Sequence, residues 1–325
     1  MHKIGLYGDT GLVGQEIEKI LKNHDKVKIV FRQNLTRSIF QIQNGNLVAL
    51  EECNLVILPT PTPASLEIVP QLLGLEKRVI DLSGAYRLKN AADFEKWYGM
   101  KHTSPELLEE AVYGLPAFYQ KQIAGARLVA NPGCYSTSVI LTLNPLQDMI
   151  EGVEGEIIIY ATSGISGARR QVAQKPNVVT YAHADDHQHF PEMRYYSGFD
   201  IDFNPIREDT IFSGINANIR AKSAGKLKAM SDENAAKEII FRLQQAYQPE
   251  DLVTVVYDFK DKYGTGQVIG THKTLIKVYV KNGKVYISSM IDNLGKGAAS
   301  QAVENMNIML GLPRLYGIHP VYKID

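Results

Sequence analysis

The 325-residue sequence predicts two domains, an α/β domain with a doubly wound parallel sheet followed by an α+β domain. Short apolar runs alternate with helix-like stretches over the first half, and a glycine turn follows the first run. The second half instead has strand-like segments separated by longer polar connections. A chain of this length also exceeds the usual size of a single hydrophobic core.

The first half has the pattern of a nucleotide-binding domain, which we expect over residues 1–137. Strands are predicted at Lys3 to Tyr7, Val27 to Phe31, Leu55 to Leu58 and Val79 to Ile80. Helices are predicted from Glu16 to Asn23 and from Ser65 to Leu75.

The second half has the pattern of an antiparallel-rich sheet, which we expect over residues 138–294. Strand-like runs lie at residues 156–162, 210–222 and 252–258. Asn282-Gly283 separates two alternating segments and predicts a hairpin, because a type I′ turn needs positive φ at both central residues. A final helix, within residues 295–325, is expected to complete the first domain.

Composition and charge favour a small-molecule partner. The 35 basic residues balance the 35 acidic ones, so the charge pattern excludes nucleic acid and anionic membranes as expected partners. There is no apolar run of the roughly 20 residues that a membrane span needs. The amino-terminal residues lack the basic and apolar regions of a secretory signal, so we expect a cytoplasmic protein.

A glycine turn follows the first predicted strand. Gly8, Gly11 and Gly14 stand where backbone amides and a helix N-terminus can hold a pyrophosphate. The candidate cofactor-binding residues are therefore Gly8, Thr10, Gly11, Leu12, Val13 and Gly14. The alternative is a turn that only joins a strand to a helix.

The end of the second strand indicates which dinucleotide binds. An NAD site is expected to place a carboxylate there, whereas this chain has Arg32, with Arg37 shortly after. A guanidinium suits the 2′-phosphate of NADP by its charge and its forked donors. The sequence therefore predicts NADP(H), with the alternative that Arg32 is a solvated residue at a strand end.

Cys134 has the surroundings of a nucleophile. Pro132 and Gly133 precede it and an apolar helix follows, so its thiol is expected at a helix N-terminus. The positive end of the helix dipole and the nearby amides favour the thiolate there. Cys53 precedes a buried-looking run and is predicted to be a structural core thiol.

A nucleophilic cysteine also needs a base, and the segment from Tyr181 to His189 offers several groups. His183, His187 and His189 have side chains that take and return protons near neutral pH. The alternative is a set of solvated loop histidines. A metal site is not predicted, because no suitably spaced ligands complete it.

Seven motifs together resemble the N-acetyl-gamma-glutamyl-phosphate reductase family, in the family's order and over nearly the whole chain. They are NPGCYST, DLSGAYRL (81–88), WYGMKH (97–102), YGLP (113–116), SGISGARR (163–170), HQHFPE (187–192) and IDNLGKGAASQAVENMN (291–307). The resemblance implies a Rossmann-type NADP domain beside a catalytic and dimerisation domain, a semialdehyde-dehydrogenase-like fold. It also implies NADPH-dependent reduction of an acyl phosphate in arginine biosynthesis, with release of inorganic phosphate, by a homo-oligomer that is a dimer or tetramer.

The resemblance also assigns roles to particular residues. It implies that Cys134 is the nucleophile and that the acid/base histidine is His187 or His189, with His187 favoured because Tyr181 lies six residues before it. Ser163 matches the family's active-site serine. Ser163, Gly164 and Asn293 are further expected cofactor contacts, and the turn 293–297 is expected to approach the nicotinamide and the nucleophile. The expected substrate-binding residues are Arg87, Asn131, Arg170 and Lys296. For the three cations among them, the alternative is a structural ion pair.

The chain departs from the family pattern at Arg169, where the family has glycine, and at Ser213, where it has arginine. These departures leave the exact substrate open, with aspartyl phosphate or a carrier-linked aminoadipyl phosphate as alternatives. An alternative of another class is an NADP-binding regulatory protein without activity.

Overall fold

The structure is a computed structural model, and it describes residues 1–34, 44–168, 172–257 and 263–318. It contains two compact units, one formed by residues 1–133 with a segment that begins at Ala298, the other by Cys134 to Gly297. The sequence placed the first boundary after residue 137, which lies inside the helix that begins at Cys134. The sites expected at Arg37, Arg169 and Arg170, and residues 319–325 of the expected last helix, lie outside the described residues.

The elements of the first unit alternate between strand and helix. Its strands are β1 His2–Tyr7, β2 Val27–Gln33, β3 Leu55–Leu58, β4 Arg78–Asp81, β5 Val112–Tyr113 and β6 Leu128–Ala130. Its helices are α1 Leu12–Leu21, α2 Asn44–Glu51, α3 Thr62–Gly74, α4 Ala91–Tyr98, α5 Leu107–Glu110 and α6 Pro116–Gly125, with α10 Ser300–Met309 near the end of the chain.

The first unit is built on a parallel sheet with the strand order β2-β1-β3-β4-β6-β5. β3 is fully buried, because helices cover both faces of such a sheet. α10 joins this unit through Ala302, Val303 and Met306, which pack in one apolar cluster with Ile4 of β1 and Ile17 of α1. The carboxyl-terminal helix therefore completes the core of the first unit.

The second unit is built on a mixed sheet. Its strands are β7 Ile150–Glu151, β8 Ile157–Gly164, β9 Val178–Thr180, β10 Ile201–Glu208, β11 Ile215–Ser223, β12 Val253–Tyr257, β13 Thr274–Lys281 and β14 Lys284–Ile291. Its helices are α7 Cys134–Leu143, α8 Phe190–Ser197 and α9 Asp232–Ala246. The sheet order is β12-β13-β14-β11-β8-β10-β9, with β7 beside β11.

The predicted hairpin at Asn282-Gly283 is confirmed. Asn282 has φ 51° and Gly283 has φ 69°, and these residues join the antiparallel strands β13 and β14. The strand predicted over 210–222 begins only at Ile215, because Gly214, with φ 106°, belongs to the preceding loop.

α7 lies against the sheet of the second unit, where it packs on β11, β14 and α8. Every residue of α7 after Cys134 is buried, which agrees with the apolar run SVILTL. Cys134 is thus the first residue of a helix that is otherwise buried. Among the described residues, none of the helices is long and apolar enough to span a membrane.

Candidate active site

The glycine turn between β1 and α1 has the local geometry that close approach of a pyrophosphate requires. Gly8 has φ 68°, a conformation that favours glycine. A Cβ atom at Gly14 would lie 2.2 Å from the carbonyl oxygen of Gly8, whereas one at Gly11 would make an ordinary contact at 3.4 Å. Thr10, Gly11 and Leu12 are exposed at the start of the helix. The turn therefore presents backbone amides at a helix N-terminus, with glycine required at two positions.

Arg32 lies on β2 and is held in an ion pair. Its Nε atom donates to Oε1 of Glu18 on α1 over 2.6 Å, and its side chain is half exposed. The hydroxyl of Thr10 donates to Oδ1 of Asn34 over 3.2 Å, which ties the glycine turn to the end of β2. The role of Arg32 toward a 2′-phosphate stays a prediction.

Arg87 and Asn131 hold the loop that leads toward Cys134. Nε of Arg87 donates to the carbonyl oxygen of Asn131 over 2.8 Å, and Nη2 donates to that of Leu82 over 2.7 Å. The amide of Asn131 donates to the carbonyl oxygen of Asp81, and its side-chain oxygen accepts from Asn305. Both residues are buried. These contacts support a structural role, and substrate binding by either residue stays a prediction.

The two cysteines differ as their sequence contexts predicted. Cys134 is partly exposed and begins α7, so its sulfur lies at the positive end of a helix. Cys53 is buried, its thiol donates to the carbonyl oxygen of Ala49, and burial raises its pKa to about 11. Because the thiolate is the nucleophile, Cys53 is inert at neutral pH.

Tyr135, next to the candidate nucleophile, connects three other site residues. Its hydroxyl donates to Oγ of Ser163 over 2.8 Å and lies 3.1 Å from the hydroxyl of Tyr181. Its ring packs edge-to-face on His187, with the ring centroids 5.6 Å apart. Burial raises the pKa of Tyr135 well above its usual value, so the hydroxyl keeps its proton. Tyr135 therefore links Ser163, Tyr181 and His187 in one cluster.

His187 and His189 are neighbours, with ring centroids 4.8 Å apart. His187 Nδ1 accepts a hydrogen bond from the backbone N–H of His189 over 3.1 Å, so a neutral His187 ring carries its proton on Nε2. Burial lowers the pKa of His187 to about 4, and the ring is therefore neutral at neutral pH. His189 is more deeply buried, 8 % exposed, and immediately precedes α8. His187 is the more accessible of the two rings.

Ser163 and Gly164 end β8, and Asn293 holds the loops beside them. A Cβ at Gly164 would lie 2.5 Å from the carbonyl oxygen of Phe212, so only glycine fits there. The side-chain oxygen of Asn293 accepts from the amide of Gly214 over 2.7 Å, and its Nδ2 donates to Oγ of Ser166 over 2.8 Å. Asn293 therefore fixes two loops at the end of β8.

The turn that follows β14 reaches Cys134. A Cβ atom on Gly297 would lie 2.8 Å from the Cβ of Cys134, so glycine permits this approach. Lys296, in contrast, is only 1 % exposed, and its Nζ lies 3.4 Å from Nε2 of the buried His272. Its ammonium is thus directed into the interior of the second unit, where it supports the turn. Substrate binding by Lys296 stays a prediction.

The sequence did not single out Tyr135, His272 or Arg207. Tyr135 stands inside the NPGCYST motif, but its position gives no sign of the hydroxyl contacts that it makes. The alternation Phe203, Pro205, Arg207 along β10 is a signal that would have placed Arg207 on the same face as the buried phenylalanine. The described residues contain no group of three or more His, Cys, Asp or Glu that could hold a metal ion.

Comparison with known families gives two matches that together span most of the chain. A profile described as the semialdehyde dehydrogenase NAD binding domain matches residues 3–126. A second profile, the semialdehyde dehydrogenase dimerisation domain, matches residues 134–293.

Curated relatives match the chain over nearly its full length. An N-acetyl-gamma-glutamyl-phosphate reductase of Nitrosomonas eutropha is 36% identical over 99% of both chains. Enzymes of the same name from Clostridium novyi and Aquifex aeolicus are 34% and 33% identical, over 98% and 95% of both chains respectively.

Solved structures of low sequence identity share the fold. Aspartate semialdehyde dehydrogenase II from Vibrio cholerae, complexed with ASA, is 14% identical with a TM-score of 0.71, over 96% of this chain and 98% of that one. Aspartate semialdehyde dehydrogenase from Candida albicans, with NADP, is 14% identical with a TM-score of 0.66, over 95% and 98%. At such identities the likeness shows the fold alone.

Proposed function

Because the chain belongs to the N-acetyl-gamma-glutamyl-phosphate reductase family of semialdehyde dehydrogenases, we propose that it is an NADP-dependent oxidoreductase that converts N-acetyl-L-glutamyl 5-phosphate into N-acetyl-L-glutamate 5-semialdehyde and phosphate. This is a step of arginine biosynthesis. The observation that carries the proposal is the position of Cys134, which is partly exposed at the start of a buried helix. The next residue, Tyr135, contacts both His187 and Ser163.

The first chemical step belongs to Cys134. Its thiolate attacks the carbonyl carbon of the acyl phosphate, and the amides at the start of α7 stabilise the negative charge that develops on oxygen. Phosphate leaves, and a thioester remains on the sulfur. The thioester carbonyl is more electrophilic than a carboxylate, which makes the later reduction feasible.

His187 stabilises the negative charge that develops on the carbonyl oxygen. In the neutral ring Nδ1 is occupied by the His189 amide, so Nε2–H is the group left to donate. We assign this N–H group to the hydrogen bond that stabilises the tetrahedral oxyanion. After reduction of the thioester, the tetrahedral oxyanion held by this N–H group collapses to the aldehyde. The carbon–oxygen double bond re-forms, the carbon–sulfur bond breaks and Cys134 leaves as the thiolate, so the ring keeps its proton.

The residues of the first unit fit a nicotinamide dinucleotide. The absence of side chains at Gly8 and Gly14 allows close approach of a pyrophosphate to the exposed start of α1, and a Cβ at Gly14 would collide with backbone. Arg32 lies near the end of β2, where a 2′-phosphate would bind, and a cation at this position supports NADP over NAD. When bound, NADPH supplies the hydride that reduces the thioester.

Oligomerisation and location complete the proposal. The match of residues 134–293 to a dimerisation domain supports a homo-oligomer, a dimer or a tetramer. We propose a cytoplasmic location for this biosynthetic step.

The reverse reaction tests the proposal. Purified protein is mixed with N-acetylglutamate semialdehyde, inorganic phosphate and NADP, and the appearance of NADPH is followed, with aspartate semialdehyde and NAD as the matched alternatives. We expect phosphate-dependent turnover that is fastest with N-acetylglutamate semialdehyde and NADP. Equal or faster turnover of aspartate semialdehyde would assign the chain another substrate, and no turnover of any aldehyde would support a regulatory protein.

A further inference from the structure

Arg207 lies beside Ser163 in the sheet of the second unit, on the face that contacts Tyr135. Residue 207 of β10 pairs directly with residue 163 of the parallel strand β8, and paired residues of neighbouring strands point to the same face. Phe203 lies on that face four residues earlier, where its ring packs on Tyr135 and His187. Arg207 therefore stands at the end of the strand that supports the candidate active site.

An ion pair holds the Arg207 guanidinium in place. Nε donates to Oδ1 of Asp209 over 2.5 Å and Nη2 donates to Oδ2 over 3.4 Å, and the two side chains are 13% and 12% exposed. Asn177 donates to the same carboxylate over 2.6 Å. In the described part of the chain these bonds use Nε and Nη2 of the guanidinium, so the fork is oriented before any ligand binds and Nη1 remains for an anion.

The two phenols of the active-site cluster lie within electrostatic reach of Arg207. Burial raises the pKa of Tyr181 to about 12, the hydrogen bond with Tyr135 and the charge of Arg207 oppose this rise, and the charge of Cys134 adds to it. The hydrogen bond to Asp209 raises the pKa of Arg207, and both phenols contribute in the same direction. Tyr135 and Tyr181 thus stand within range of the nucleophile and also of the arginine.

Resting on the proposed function, we propose that Arg207 is a substrate-specificity residue that binds the α-carboxylate of the N-acylated amino-acid substrate through its Nη1 side. The substrate carries two anionic groups, and the phosphoryl group is bonded to the carbon that Cys134 attacks. The α-carboxylate lies at the other end of a short carbon chain, and Tyr135 and Tyr181 lie within electrostatic reach of both Cys134 and Arg207. The negative charge of Asp209 also repels a doubly charged phosphoryl group beside Arg207 more strongly than it repels a carboxylate with a single charge.

The test compares two aldehydes in the phosphate-dependent reverse reaction. One is N-acetylglutamate semialdehyde and the other is acetamidobutanal, the same aldehyde without the α-carboxylate. For Arg207→Gln we expect kcat/KM to fall about 10- to 100-fold with the first aldehyde, since a charge-assisted hydrogen bond is lost. With acetamidobutanal the change should stay within about threefold, and the KM of phosphate should be unchanged. Arg207→Lys should recover part of the lost kcat/KM.

Control variants separate binding from folding. Arg194→Gln removes an arginine from an exposed ion pair with Asp200 and should leave kcat/KM unchanged for both aldehydes. Because Arg207→Gln leaves Asp209 without its cation, Arg207→Gln/Asp209→Asn provides a second variant with the same expected selectivity. Equal losses with both aldehydes in both variants, or a raised KM of phosphate, would overturn the proposal. If the wild type failed to oxidise N-acetylglutamate semialdehyde at all, the proposed function would fail instead.

Discussion

Gly297 approaches Cys134 so closely that a β-carbon on Gly297 would lie 2.8 Å from the β-carbon of Cys134 and 3.3 Å from its α-carbon. The amide of Gly297 also donates to the carbonyl oxygen of Asp292 over 2.9 Å, which closes the turn. The buried Asp292 carboxylate accepts in turn from the amides of Leu294 and Gly270. The turn is therefore fixed by its own hydrogen bonds and cannot retreat without breaking them.

Gly297→Ala should displace the start of α7 or the turn, because the contact is shorter than two β-carbons tolerate. We expect kcat to fall by at least about tenfold, as expected when reacting groups are misplaced by fractions of an ångström. Gly266→Ala is the control, since a Cβ there has nothing within 4 Å. Steady-state kinetics of both variants check this, and normal turnover by Gly297→Ala would contradict the assigned geometry.

Gly14→Ala should impair dinucleotide binding, because its Cβ would meet the carbonyl oxygen of Gly8 at 2.2 Å. We expect the Kd for NADPH to rise by at least about tenfold, which corresponds to about 1.4 kcal/mol. Gly11→Ala, whose Cβ would make only an ordinary contact, should bind within a few-fold of wild type. Fluorescence titration with NADPH measures both, and equal effects in the two variants would count against this account of the turn.

Tyr135→Phe should weaken catalysis by losing the hydroxyl that bridges Ser163 and Tyr181. We expect the free energy of unfolding to fall by about 1 to 2 kcal/mol, since each of the two lost hydrogen bonds contributes about 1 kcal/mol, and kcat to fall about tenfold. Tyr181→Phe keeps the hydrogen bond between Tyr135 and Ser163, so kcat and the free energy of unfolding should fall less than in Tyr135→Phe. The double variant tests the coupling, because strictly additive effects on ln kcat would show that the two phenols act independently.

His187 predicts a pH dependence of stability. Its folded pKa of about 4 lies below its unfolded value of about 6.5, so the unfolded state binds the proton first as pH falls. As the pH falls from about 6.5 to about 4, this group therefore lowers the free energy of unfolding progressively. Below that window His187 is protonated in both the folded and the unfolded state. His187→Asn should reduce the difference in unfolding free energy between pH 7 and pH 4.5 by about 2 kcal/mol. Urea denaturation at the two pH values measures it, and an unchanged difference would argue against a desolvated ring.

The features that the sequence predicted correctly depend on local chemistry. The strand, glycine turn and helix at the start, the helix that begins at Cys134 and the hairpin at Asn282-Gly283 each follow from neighbouring residues. The buried thiol of Cys53 was also predicted, because it precedes a continuous apolar run.

The features that the sequence did not predict depend on contacts between distant residues. Nothing near Arg87 shows that it binds the carbonyl oxygen of Asn131, 44 residues away. Likewise, nothing near Lys296 shows that it lies 3.4 Å from His272, and nothing near Arg32 shows that it pairs with Glu18. The sequence therefore left both a ligand contact and a structural role open for these charged side chains, and the fold gives each of them a protein partner.

The proposed function rests on acylation of the Cys134 sulfur during the reaction. The most direct measurement is mass spectrometry of the enzyme, quenched in acid while it turns over the acyl phosphate, with Cys134→Ser and Cys53→Ala as matched variants. We expect an acyl adduct on the peptide that contains Cys134 in the wild type and in Cys53→Ala, and neither adduct nor turnover in Cys134→Ser. Product formation by Cys134→Ser at a rate near that of the wild type would contradict it.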